Sequence, residues 1–558
     1  MRLRRLVPPL ALLLLVLLLV LARTVGRSQV EDLGMWDEFI YISQGMGIHR
    51  GIIPHAWGPL YSSWYALLGC FTSSALLQYR ACLPILLGFN LLAWWLVART
   101  ARMKTWLLVL GMIWLSVARA LDPGWPYVPV FTSALVMVAM GLAIRAKRLS
   151  SGLVAATALV GLLPFARPEM LVAFVVLFFS TLLALGVEAL PIRKALPRAA
   201  LAVLPFFLMC WIFRSPIDKP RSFLAFGQHF ALNLKESFGG DFDPFPDWEM
   251  VLKPIFGNAK SPRQAALNNP RAFAWHVKEN LKATASTGVP ALAPRLSRSP
   301  ISPPNARERY QGILITLGII AGVVLALRRI RSAQDPEVRQ RFIAAAVVAG
   351  AITVAFLSGI VLVRPRPHHL APVVAAIAVL AAMGWSQRLT WKPPTWVPVL
   401  ASAAFLLLLP SRSGAGHWFH PPAHSGQAWP ATPDANVVQV LNQLKPPGER
   451  ETTVLSTPCG IALYAKWKAR QLLAQDFQTF EACLAARPDV IVVDDAMRVR
   501  FRRRDRDLFQ HFEEAPSAFG FTPLETPLNP IRILLRSELP WSGLVGGEQG
   551  KTLALSLQ

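Results

Sequence analysis

The sequence predicts a polytopic α-helical membrane protein of about eleven spans, closed by a small C-terminal α/β domain, and three observations carry that expectation. Of its 558 residues, 53% are hydrophobic and only 16% charged, an apolar excess over ordinary soluble domains. The run "LVPPLALLLLVLLLVLA", Leu6 to Ala22, is long enough to cross a hydrocarbon layer of about 30 Å and follows Arg2, Arg4 and Arg5. The net charge of +25 is broken into short basic clusters that punctuate the apolar runs. These are Arg99, Arg102 and Lys104; Arg145, Lys147 and Arg148; Arg193, Lys194 and Arg198; and Arg328 to Arg341. Such spacing is what cytoplasmic loops of a multispanning protein produce, and no groove-binding motif accompanies it, so nucleic acid is not an expected partner.

Each element then follows in order, with Lys/Arg clusters facing the cytoplasm. The first run exceeds a usual signal-peptide core and lacks a clear small-residue cleavage site, so it is expected to stay as an outward-running anchor. Residues 23–79 form an external loop. Within it, "GPLYSSWYALLGCFTSSALL" is expected to lie at the outer interface, since a crossing there would invert every later basic cluster. Arg80 to Ala98 returns, Trp106 to Leu121 leaves, and Val128 to Ile144 comes back to "RAKR". Leu153 to Phe165 and Met170 to Gly186 form a pair turning at "ARPEM"; Ala199 to Phe213 exits into an external stretch, 214–309, too polar to span. Tyr310 to Leu327 enters, Phe342 to Val363 leaves, Leu370 to Trp385 returns, and Trp396 to Pro410 exits for the last time.

The composition changes after residue 410. Residues 411–433 are a Gly-, Pro- and Ser-rich linker, and 434–558 read as a compact external domain. Its helical pattern "ANVVQVLNQL", strand "TTVLS", helices near Ile461 to Lys468 and Phe477 to Ala486, and buried strand "DVIVVDD" alternate as in an α/β fold. Cys459 and Cys483 both fall here, a possible disulfide if the compartment is oxidising.

Chemistry-bearing residues gather at the outer ends of the spans. Asp37 and Glu38 in "MWDEFIYISQG" follow the first span, and Asp37, Tyr41 and Gln44 share one face of a helix. A solvated helix start accounts for the acids equally well, but their apolar and aromatic surroundings favour a desolvated carboxylate able to act as a base. Asp122 reaches the same membrane face, where a plain turn before Pro123 is the simpler role. Cations join them: His49, Arg50 and His55; Arg167 with Glu169; and Arg364, Arg366, His368 and His369 in "VRPRPHHL". Snorkelling to headgroups explains such residues in part. Carboxylates beside Arg and His also suit transfer of a sugar from a lipid phosphate, in which an acceptor hydroxyl loses a proton while phosphate departs.

The stretch "WDEFIYISQGMGIHRGIIPHAWGPLYSSWYAL" resembles the first external loop of GT-C superfamily membrane glycosyltransferases, such as the lipid A aminoarabinose transferases and protein O-mannosyltransferases. The matching positions are Asp37, Glu38, Tyr41, Gly51, Pro54, Gly58, Pro59 and Leu60; Gly58 and Trp57 depart from the Pro-Pro pair and the preceding lysine of the aminoarabinose branch. "YRACLPILLGFNLLAWWLVAR", opening on Arg80, resembles the family's second span, and "ARPEMLVAFVV" and "RPRPHHLAPVVAAIAVLAA" resemble later external motifs. The resemblance covers residues 6–410. It implies a GT-C-like catalytic domain over 1–410, with Asp37 as general base, Glu38 orienting or supporting, and Asp122 assisting at the acceptor or a metal. Arg366, His368, His369 and Arg167 would hold the donor phosphate; Tyr41, His49, His55, Arg80 and Glu169 are further candidates.

The implied partners are a polyprenyl-phosphate-linked sugar, a lipid, glycan or protein acceptor, and membrane lipids; the implied cofactor is a divalent metal, Mg or Mn, which no ligand spacing selects. A bacterial inner membrane with a periplasmic active face and tail domain is the expected location. The rival readings are a transporter or flippase, for which charges near the midplane and repeat symmetry would be expected, and a non-catalytic envelope scaffold.

Overall fold

The computed structural model describes residues 2–24, 36–54, 58–122, 125–216, 221–240, 242–245, 247–295, 305–388, 433–444 and 450–541, apart from 459, 466, 525, 527 and 529. The helices in chain order are α1 (Arg2–Thr24), α2 (Trp36–Ile48), α3 (Pro59–Gly69), α4 (Ala75–Thr100), α5 (Thr105–Val117), α6 (Val128–Arg145), α7 (Leu149–Val160), α8 (Met170–Val187) and α9 (Ile192–Phe213). Then follow α10 (Arg221–Phe238), α11 (Trp248–Phe256), α12 (Pro262–Asn268), α13 (Pro270–Leu292), α14 (Ala306–Ser332), α15 (Pro336–Ile360) and α16 (Ala371–Arg388).

Among the described residues, seven helical segments are long and apolar enough to cross a membrane: α4, α6, α8, α9, α14, α15 and Pro367–Gln387. Shorter apolar helices occupy Leu10–Thr24, Thr105–Val117 and Leu149–Phe165. These segments fall on ten of the expected spans, in order. The eleventh, Trp396 to Pro410, lies outside the described residues. Several expected boundaries move: α9 and α15 start at Ile192 and Pro336 rather than Ala199 and Phe342, and the third span, expected to reach Leu121, ends as α5 at Val117. There the backbone turns to another partner, for Ala118 bridges Pro294, Arg119 N–H donates to Ala293 O at 3.1 Å, and Arg295 N–H donates to Val117 O at 2.7 Å. Helix α3, with 11 residues, rises about 16 Å, too little to cross a layer of about 30 Å. The stretch 214–309, expected to be external, carries the helices α10 to α13 around an aromatic core of Phe226, Phe230 and Phe256.

The chain divides into two compact units: the described residues within 1–25, 50–64 and 82–415, and those within 26–49, 65–81 and 416–558. In the first, α6 and the 367–387 segment are the most enclosed spans, whereas α9 and α14 present apolar side chains such as Leu201, Phe207, Trp211 and Leu317 outward, as lipid-facing helices do. Small residues let helices touch backbone to backbone. A Cβ at Gly322 would come within 2.6 Å of Ala381 O, and one at Gly384 would strike Gly322 O. This is the close approach that membrane helices use in place of a hydrophobic driving force.

In the second unit the tail forms a five-stranded sheet of order β2-β1-β3-β5-β4, from β1 (Thr452–Ser456), β2 (Ala469–Leu473), β3 (Val490–Val493), β4 (Phe521–Leu524) and β5 (Arg532–Arg536). Strands β2, β1 and β3 are parallel; β5 pairs antiparallel with β3, and β4 antiparallel with β5. The expected strands at "TTVLS" and "DVIVV" are β1 and β3, the latter buried at every residue. The helix expected to reach Lys468 stops at Tyr464, and β2 follows, because pairing with β1 decides the state of an ambiguous short segment. Cys483 is a free buried thiol, its pKa pushed up to about 12 by burial; Cys459 lies outside the described residues.

Candidate functional site

The acid pair opens α2. Both carboxylates fall in its first turn, where they favour the helix dipole. Their surroundings differ. Asp37 is half-buried, whereas Glu38 is fully enclosed and accepts a hydrogen bond from the Tyr65 hydroxyl at 2.5 Å. Asp37 is thus partly accessible and Glu38 is not. Tyr41, a turn along the Asp37 face, is completely buried. His49 Nε2 meets Ala66 O at 2.8 Å, in the space a Cβ at residue 69 would claim, which is why Gly69 stands there. Arg80 follows Tyr79, whose ring meets that of Tyr464 edge-on at 5.8 Å, so within this unit the tail packs on the first-loop segment. His55 lies outside the described residues.

In the membrane unit Asp122 is buried, and its carboxylate is ion-paired with Arg23 at the end of α1. Arg295 donates to the Asp122 carbonyl. A second buried pair, Arg119 Nη2 to Glu308 Oε2 at 2.6 Å, ties the same turn to the capping box that starts α14. Charges this enclosed persist only when paired and hydrogen-bonded.

The remaining candidates of this unit converge at the turn after α15. Arg366 N–H donates to His369 Nδ1 at 3.3 Å, and the Arg366 guanidinium lies over the Phe245 ring at 5.8 Å. His368 and His369 stand edge-on with centroids 4.5 Å apart; Tyr127 meets His368 at 4.6 Å and Trp125 meets it at 6.2 Å. Arg167, ion-paired with Glu169, is close enough to both histidines to act on them electrostatically, as Arg295 is to His368. Three polar atoms around these rings, Arg167 Nη1, Trp125 Nε1 and His229 Nδ1, are buried with no hydrogen-bond partner in the described residues. Buried polar atoms without a partner are rare in native proteins, and each calls for an explanation.

His229, on α10, was not singled out from the sequence. Its ring lies 6.4 Å from that of His369, and its pKa is lowered to about 3, first by burial and then by Arg366, His276 and Arg364. The sequence signal is the helical spacing of His229, Asn233 and Glu236 on a helix that also carries Phe223, Phe226, Phe230 and Phe238. Along that stripe Arg364 is ion-paired with Glu236 and donates to Asn233 Oδ1 at 3.2 Å.

Behind it His276 is fully buried. Asn233 Nδ2 faces its Nδ1 at 3.0 Å, and Asn280 Nδ2 and Leu362 O face its Nε2 at 3.1 and 3.2 Å; amide donors against both nitrogens suit a neutral imidazole. Burial lowers its pKa to about 4. An unfolded histidine takes its proton near pH 6.5 and the folded one does not, so stability falls as pH drops from about 6.5 toward 4. The local loss at pH 5 is about 2 kcal/mol. Corrected amide exchange in α13 is therefore expected to speed up roughly 30-fold between pH 7 and 5, and less in a His276→Gln variant.

Among the described residues no group of three or more His, Cys, Asp or Glu side chains is placed to hold a metal, and the expected divalent ion finds no donor set in them. No family model and no curated protein matches the chain. Among solved structures, the chain is similar to the archaeal oligosaccharyltransferase AglB from Archaeoglobus fulgidus, solved in complex with an inhibitory peptide and a dolichol-phosphate. The identity is 13%, over 95% of this chain and 74% of that one, with a TM-score of 0.40.

Proposed function

We propose that this protein is a membrane glycosyltransferase that moves a sugar from a polyprenyl-phosphate donor to an envelope acceptor on the extracytoplasmic face of a bacterial inner membrane. The observation that carries the reading is the set of unpartnered buried polar atoms, the donors Arg167 Nη1 and Trp125 Nε1 with the imidazole nitrogen His229 Nδ1, gathered about His368, His369 and Arg366. Such a cradle asks for a ligand rich in acceptor oxygens, and its cations favour an anion. A phosphate attached to a membrane lipid meets both needs.

In the proposed reaction the acceptor hydroxyl attacks the anomeric carbon of the donor sugar. The new glycosidic C–O bond forms as the bond from the anomeric carbon to phosphate oxygen breaks. The hydroxyl proton passes to a carboxylate, the role the sequence motif offers for Asp37, and the electron pair leaves with the lipid phosphate. Arg366, Arg167 and the two histidines stabilise the charge that grows on that phosphate, the role preorganised donors play for any developing oxyanion. Glu38, held by Tyr65, is assigned to orientation, and Asp122, already paired with Arg23, to support of the outer end of the bundle. The tail domain is proposed to select the acceptor.

The test is transfer of radiolabelled sugar from a panel of polyprenyl-phosphate sugars by the purified full chain, with crude envelope as acceptor. Transfer from one donor is the expected result and names it. A folded protein that transfers from none would move the reading to the transporter or the scaffold.

A further inference from the structure

Helix α10 meets the Arg364–His369 turn through three residues on one face, and they do different things there. Glu236 and Asn233 engage Arg364, so that cation is already answered within the protein. Arg366, two residues on, has no carboxylate partner among the described residues and instead lies over the face of Phe245. One turn N-terminal to Asn233, His229 brings its ring beside His369, with Nδ1 buried and without a hydrogen-bond partner in the described residues. The two arginines of one short turn are thus divided: one fastened to α10, one left for something else. The unpartnered nitrogen of α10 belongs to His229, whose ring feels both arginines, Arg366 more than Arg364.

Resting on the reading above, we infer that His229 is a direct ligand of the donor's phosphate, and that α10 forms the second wall of the phosphate site while Glu236 and Asn233 withdraw Arg364 from it. The ligand chemistry is a phosphate monoester or diester oxygen, and a neutral imidazole with its proton on Nδ1 supplies one hydrogen bond to it. A neutral donor adds a directed contact without adding charge beside Arg366, whose repulsion of a second cation burial would sharpen. Asn233 has two tasks, since its amide also holds His276 at 3.0 Å and Asn280 at 2.8 Å; the stripe is thereby fixed in rotation about the helix axis and His229 is aimed.

The experiment measures binding of two probes, geranyl phosphate and inorganic phosphate, to the full chain in detergent, for wild type, His229→Ala, His229→Gln and Arg366→Ala. Melting without ligand checks that each variant folds. His229→Ala is expected to weaken geranyl phosphate binding about 10- to 100-fold, as loss of a hydrogen bond to a charged group does, and the glutamine amide to restore part of it. Preference for geranyl over inorganic phosphate assigns the site to a lipid headgroup; equal binding assigns it to free phosphate, with the role of His229 intact. Unchanged binding by a folded His229→Ala, with Arg366→Ala weakened, overturns the inference and leaves the phosphate site standing. Absence of binding by wild type overturns both.

Discussion

Replacing Asp37 by Asn is expected to lower the rate of sugar transfer by a factor of about 10² to 10⁴, the usual contribution of a positioned general base. The substitution keeps the size of the side chain and its place in the first turn of α2, where Asp37 is half-buried and its neighbour is not exposed at all. A matched change at Glu38 should read differently. Glu38→Gln leaves the Tyr65 hydroxyl an acceptor but weakens a charge-assisted bond to a neutral one, so its effect should fall on acceptor KM and on stability more than on kcat. Tyr65→Phe should reproduce that smaller effect, because it removes the same bond from the other side. The measurement is kcat and KM for each variant with the donor found in the panel. A well-folded Asp37→Asn enzyme of unchanged kcat would remove Asp37 from the base role.

Breaking the Arg23–Asp122 pair is expected to destabilise the protein by about 3–5 kcal/mol, the effect of leaving one buried charge without its partner. Both side chains are almost fully enclosed, at 3% and 4% exposure, which is why an exposed pair's fraction of a kcal/mol does not apply. Arg23→Leu and Asp122→Leu should each lower the melting temperature steeply in detergent, and the double variant should regain much of the loss, since two apolar residues leave no charge unpaired. Activity of the double variant then separates two roles. Transfer near wild type would make Asp122 a support of the bundle's outer end. Loss of transfer at restored stability would return it to the chemistry, as the family resemblance implies.

The membrane segments were legible because hydropathy is a local property. The expected span Met170 to Gly186 and the helix Met170–Val187 coincide at one end and differ by one residue at the other, and Val128 to Ile144 does as well against Val128–Arg145. The expected helix near Ile461 failed at its far end, since nothing inside "KARQLL" announces an edge strand; pairing with Thr452–Ser456 does. The candidate site divides along the same line. Asp37, Glu38, Arg366, His368 and His369 stand in short motifs that can be read in place, whereas His229 looks like one polar residue of an amphipathic helix.

By itself the sequence determined that the chain is a multispanning membrane protein, where its apolar helices lie, and that its acids and cations collect at span ends, because chain length, hydropathy and charge spacing act over a few turns. Only the tertiary structure decided how those charges are used. Arg119 finds Glu308, 189 residues away, and Asp122 finds Arg23, 99 residues away, so Asp122 is not the bare carboxylate that a linear reading offers. Likewise Glu236 takes Arg364 and leaves Arg366, a choice between two arginines in one turn that rests on which face of α10 packs there. Electrostatic pairing depends on distance and burial rather than on order along the chain, and both are set by packing.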